Sequence, residues 1–210
     1  MAIALIRRVD AGNDDCTRRL TPAHWSLTGA YVIAGYNGAV NKRWGSGMRF
    51  LNITIPKGST INEAHLNLRA LNGYAGNSVN SRISAEDVAN PPVFADDAGA
   101  FDARWANRTA ARIEWDNIPA TIDDQEYDSP DIKAVIQEIV DRGDWASGNA
   151  IVIFWEDFDD RSGPDAFAYR DAFSYEEAVP DDEKPTLMIN YSEPAVGMPG
   201  LNPALLELAT

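Results

Sequence analysis

Cysteine is almost missing from this sequence. Cys16 stands alone, so neither an intrachain disulfide nor a cysteine-based zinc site can form, and the fold must hold by packing. The thiol itself reads as a partly buried, passive group rather than a reactive one. Histidine is nearly as scarce: His24 and His65 have no Ser, Cys or carboxylate motif beside them that would build a nucleophile site, which argues against a catalytic triad. Positive charge is in the minority. The 18 Lys and Arg against 32 Asp and Glu leave a net charge of −14, which repels phosphate backbones and argues against a nucleic-acid partner. No apolar run approaches the roughly 18 residues of a membrane span. Residues 1–8 (MAIALIRR) place their positive charge after a short apolar run, the wrong order for a signal peptide. The expectation is a chain made in the cytoplasm. Gly45–Gly47 lacks the following helix and Lys of a phosphate-binding loop.

What is present suits a β-sandwich. The 210 residues are 45% hydrophobic, enough for one substantial core, and one domain over 1–193 with a Pro-rich tail over 194–210 is expected. Met48–Ile55 (MRFLNITI) reads as a strand stopped by Pro56, Lys57 and Gly58. Ala64, Leu66 and Leu68 alternate with polar neighbours as a half-buried strand does, and Ser78–Ala85, Arg108–Trp115, Ala166–Tyr175 and Pro185–Tyr191 read as further strands. Ala150–Trp155 (AIVIFW) is apolar throughout, which fits a central strand buried on both faces. Glu86–Asn107, rich in Asn, Asp, Pro and Gly, reads as a long surface excursion. One helix stands out over Pro130–Arg142. Ser129 is placed to cap it, Gly143 to end it, and Ile132, Val135, Ile136 and Ile139 form its apolar stripe, with Lys133, Gln137, Glu138 and Asp141 facing water. The predicted fold is therefore all-β: an antiparallel, jelly-roll-like sandwich with one amphipathic α-helix.

Candidate sites follow from side-chain chemistry. Trp44, Tyr74 and Trp105 fall in loop-like surroundings, where exposed aromatics serve as stacking platforms for sugar rings, while Trp115, Trp145 and Trp155 read as core. Asp157, Asp159 and Asp160 share one acidic loop and make calcium the candidate cofactor, against the plainer reading of a solvated loop. Paired carboxylates for glycoside hydrolysis can be drawn in too many ways among 32 acidic residues to single out any pair. In the tail, Pro194, Met198, Pro199, Leu201, Leu205 and Leu206 are candidates for docking on a neighbouring subunit.

The order MRFLNITIPKGSTINEAHLNL, SRISAED, TAARIEWDNIP, YDSPDIKAVIQEIVDRGDWASGNAIVIFW and KPTLMINY resembles the β-sandwich family known as DNRLRE or disaggregatase-related domains, over roughly Met48 to Tyr191. The helix-to-strand unit from Ser129 to Trp155 is its most specific part. The resemblance implies a jelly-roll module of the kind found in cell-surface, polysaccharide-related and phage virion proteins, some of them carbohydrate-binding, and it brings no catalytic motif. The leading expectation is a non-catalytic structural or adhesion protein: a phage virion component such as a capsid decoration, tail or fibre-associated subunit, with other copies of itself or other virion subunits as partners. The alternative is a carbohydrate-binding module for a surface polysaccharide.

Overall fold

The structure, a computed structural model, describes residues 2–20, 23–38, 42–74, 77–163, 167–177 and 180–194. In chain order it contains β1 (Ala2–Arg8), β2 (Asp15–Arg19), β3 (His24–Ser26), β4 (Tyr31–Asn37), β5 (Lys42–Ile53), β6 (Thr60–Arg69) and β7 (Val79–Ala85). Then follow α1 (Ala98–Ala106), β8 (Ile113–Ile118), β9 (Glu126–Asp128), α2 (Lys133–Val140), β10 (Asn149–Glu156), β11 (Ala168–Phe173) and β12 (Thr186–Ser192).

Every ladder between these strands is antiparallel. One sheet runs β1-β12-β6-β9 and the other β11-β4-β5-β10-β7-β8, with β2 also paired to β5 and β3 to β2. With β2, β3, β4 and β11 set aside, the remaining strands counted in chain order lie as 1-8-3-6 and 2-7-4-5. That order is the jelly roll of two nested Greek keys. The four extra strands enlarge the second sheet, and a bridge between Ala70 and Ala172 ties the end of β6 to β11, joining the two sheets there.

The core sits between the sheets. Ile61, Ala64, Leu66 and Leu68 of β6 face it, and a register shift opposite Asn190 and Tyr191 accounts for the three-residue step from Ile61 to Ala64. Strand β10 lies between β5 and β7, with Ile151, Ile153 and Trp155 in the main core and Val152 and Phe154 in a second cluster on the opposite face. Trp115 and Trp145 are also buried in the main core.

That second cluster corrects the reading of Glu86–Asn107 as a surface excursion. Asp97 caps a helix there by accepting from the amides of Gly99 and Ala100, and Phe101, with Phe94, is buried against Cys16, Val152 and Phe154. A segment with one deeply buried apolar side chain per helix carries too weak a periodic signal to be read from sequence. The described residues thus hold two α-helices, where one was expected.

Helix α2 matches its apolar stripe: Ile132, Val135, Ile136 and Ile139 are fully buried. Its start differs from expectation, since the N-cap position falls on Ile132, whose side chain makes no cap bond. Asp131 Oδ1 accepts from the Lys133 amide at 2.9 Å, whereas Ser129 Oγ accepts from the Leu66 amide at 2.9 Å. Asp131 also takes the Ala64 amide, Gln137 bonds the backbone of Ser59 and Ile61, and Glu138 accepts from the amides of Ala110 and Ala111. The segment 129–138 therefore satisfies the edge of β6 that the short strand β9 leaves open. Among the described residues, no helix is long and apolar enough to cross a membrane.

Candidate functional site

Side chains alternate along strands, so β4, β5 and β11 each turn every second residue to a common side. Register decides which residues meet there. Gly35 pairs with Tyr169 on one side and with Trp44 on the other, so the two aromatics share one row across the sheet with no side chain between them. In the next row Asp171 pairs with Ile33. Tyr31, Ile33 and Asn37 from β4, Trp44 from β5, and Tyr169 and Asp171 from β11 line a pocket of about 210 Å³.

Gly35 is required by this arrangement. Its φ is +119°, and a Cβ there would meet the Ala168 carbonyl oxygen at 2.4 Å and the Tyr169 Cα at 2.6 Å. Trp44 and Tyr169, on either side of Gly35 in the register, both line the pocket as its walls. Trp44 is held from other directions: Arg19 lies over its ring at 4.9 Å, His24 meets it edge to face at 5.8 Å, and Tyr31 does so at 6.4 Å.

Asp171 is the one carboxylate among the described lining residues. It is 6% exposed, and its Oδ2 accepts from Tyr74 Oη at 2.8 Å and Asn72 Nδ2 at 3.0 Å. Tyr74 Oη also lies 3.1 Å from Tyr169 Oη. One phenol proton cannot serve both, so Tyr74 donates to the carboxylate and Tyr169 donates to Tyr74. Oδ1 of Asp171 and Nε1 of Trp44 have no hydrogen-bond partner among the described residues. Burial pushes the Asp171 carboxyl above its ordinary range, against the lowering pull of the Tyr74 and Asn72 bonds. Tyr74 is pushed well up, first by burial and then by its bond to Tyr169 and the Asp171 charge.

Of the residues expected from sequence, Trp44 and Tyr74 meet here. Trp44 corrects the expectation of an exposed loop aromatic: it is a strand residue only 6% exposed that forms a wall, and Tyr74 stands behind the pocket, fixing Tyr169 and Asp171. Trp105 does not join them. It lies on α1, half-buried against Phe158 at 5.3 Å with Arg108 3.9 Å over its ring, and it anchors the helix. Tyr31, Tyr169 and Asp171 were missed as site residues, because only the β4–β11 register brings them beside Trp44.

The three carboxylates of the acidic loop have partners of their own. Asp157 is fully buried; it accepts from the amides of Arg161 and Ser162 at 2.6 and 3.1 Å and pairs with Arg43 at 3.4 Å. Asp159 pairs with Arg82, and Asp160 pairs with Arg43 from an exposed position. Arginines thus hold all three carboxylates, and no group of three potential metal ligands occurs among the described residues. In the tail, Pro194 is exposed, while Met198, Pro199, Leu201, Leu205 and Leu206 lie outside the described residues.

The chain matches no protein-family model and no curated protein.

Proposed function

We propose that this is a non-catalytic adhesion protein whose pocket between Trp44 and Tyr169 binds a sugar of a surface polysaccharide. The observation that carries the reading is the pairing of Gly35 with both Trp44 and Tyr169, which leaves a slot between two aromatic walls with Asp171 beside it. A pyranose ring offers apolar C–H faces to aromatic rings and hydroxyls to polar groups, and here Asp171 and Asn37 are the polar residues that line the pocket beside the aromatic ones. A single carboxylate among the described lining residues argues against hydrolysis, which takes two carboxyl groups about 5 to 9.5 Å apart. A glycan array probed with the wild-type chain and with Trp44→Ala tests this: binding that disappears in the variant supports the reading, and binding equal in both sinks it.

Membership of a larger assembly, such as a virion decoration, tail or fibre-associated subunit, is the second reading and is compatible with the first. It is supported by the resemblance to DNRLRE-type modules and by the edge strand β1, whose Ile6 is 51% exposed. Light scattering at several concentrations, with the full chain, Ile6→Lys and a chain ending at residue 193, tests it. A larger assembly in the full chain that either change breaks apart supports it, and a monomer throughout contradicts it.

A further inference from the structure

Resting on the reading of the slot as a sugar site, we propose that its occupant is an amino sugar with a free ammonium group, the ring lying between Trp44 and Tyr169 and the ammonium against Asp171. The first support is an unmatched charge. Asp171 is 6% exposed, only its Oδ2 is hydrogen-bonded, and no ion pair among the described residues includes it. A carboxylate withdrawn from water without a cation is costly, and a ligand that brings the cation removes that cost.

Two nearby arginines give their hydrogen bonds and ring contacts to other groups. Arg170, next in the strand, points to the opposite face and gives its guanidinium to the carbonyls of Asn77, Ile118, Pro119 and Tyr169. Arg19 lies on the Trp44 ring. Its position sets the ligand's direction: the ammonium lies toward Tyr169 and Asp171, away from Arg19. Aromatic faces favour the same choice, since the ring quadrupoles of Tyr31 and Tyr169 attract a cation and repel an anion. A uronic or sialic acid would instead bring a second negative charge to Asp171 in a chain of net charge −14. A neutral sugar would bring no cation to Asp171.

The test is a panel of glycan pairs, each member in N-acetylated and de-N-acetylated form, titrated against the full chain near pH 6, where a sugar amine is charged. The expected result is that the de-N-acetylated member of the bound pair is preferred by about tenfold or more, the margin of one charge-assisted contact. Asp171→Asn is expected to erase that preference while Asp159→Asn, outside the pocket, keeps it. Equal binding of both members, or preference for the N-acetylated one, overturns the amino-sugar inference and leaves the sugar reading standing. Binding of no glycan at all overturns both. The wild-type comparison decides the matter alone if Asp171→Asn does not fold.

Discussion

Trp44 and Tyr169 stand in one row of the larger sheet, two strands apart, with Gly35 paired to both. At about 4.8 Å between strands, this puts their backbones about 9.6 Å apart with bare main chain between. The slot is therefore a product of register, and Gly35 allows the close approach of β11 that the register requires.

Gly35→Ala tests that origin. The added Cβ meets a carbonyl oxygen at 2.4 Å and sits at φ +119°. The variant is expected to lose about 2 kcal/mol, the scale of a residue held in a sparsely populated backbone region, and to lose ligand binding with it. Denaturant unfolding reads the first effect and titration the second; a variant as stable as wild type contradicts the geometry.

Phe101→Ala tests the second core. The ring is buried beside Phe94, Trp25, Phe154 and Phe158, with centroid distances from 5.5 to 6.3 Å. Its removal is expected to cost about 3 to 5 kcal/mol, the range for a buried Phe. A loss under about 1 kcal/mol, the scale of surface substitutions, would mean that α1 does not pack on the sheet.

Much of this fold is legible in the sequence. Apolar alternation places β6, the stripe from Ile132 to Ile139 places α2, and the unbroken AIVIFW run places β10 in mid-sheet. The run is apolar throughout because α1 and Phe94 cover its second face, yet α1 itself was not legible. The pocket was legible only in part. Trp44 and Tyr74 stand out by residue type, but Asp171 looks like any other carboxylate until β11 pairs with β4 and buries it.

Asp15 links stability to pH. Its carboxyl is pushed up to about 8, first by burial, with the Glu176 and Asp14 charges adding to the rise and the Tyr175 amide bond opposing it. A raised carboxyl pKa means that the folded state holds a proton the unfolded chain has released, so this contribution to stability falls as pH rises from about 4 to about 8. Melting temperatures across that window are expected to decline in the wild type and to flatten in Asp15→Asn. Parallel profiles would contradict the assignment.

Calcium addition tests the loop carboxylates. Asp157, Asp159 and Asp160 are paired with Arg43 and Arg82, so the melting temperature is expected to be the same with millimolar calcium as with a chelator. A rise with calcium would show that the arginines yield to the ion.

The most direct test of the pocket is titration calorimetry of the full chain and Tyr169→Ala with the glycan that the array selects, circular dichroism confirming that both are folded. Removing one wall is predicted to weaken binding by about tenfold or more, the equivalent of 1.4 kcal/mol. Unchanged affinity in a folded Tyr169→Ala protein would place the binding site elsewhere and contradict the account.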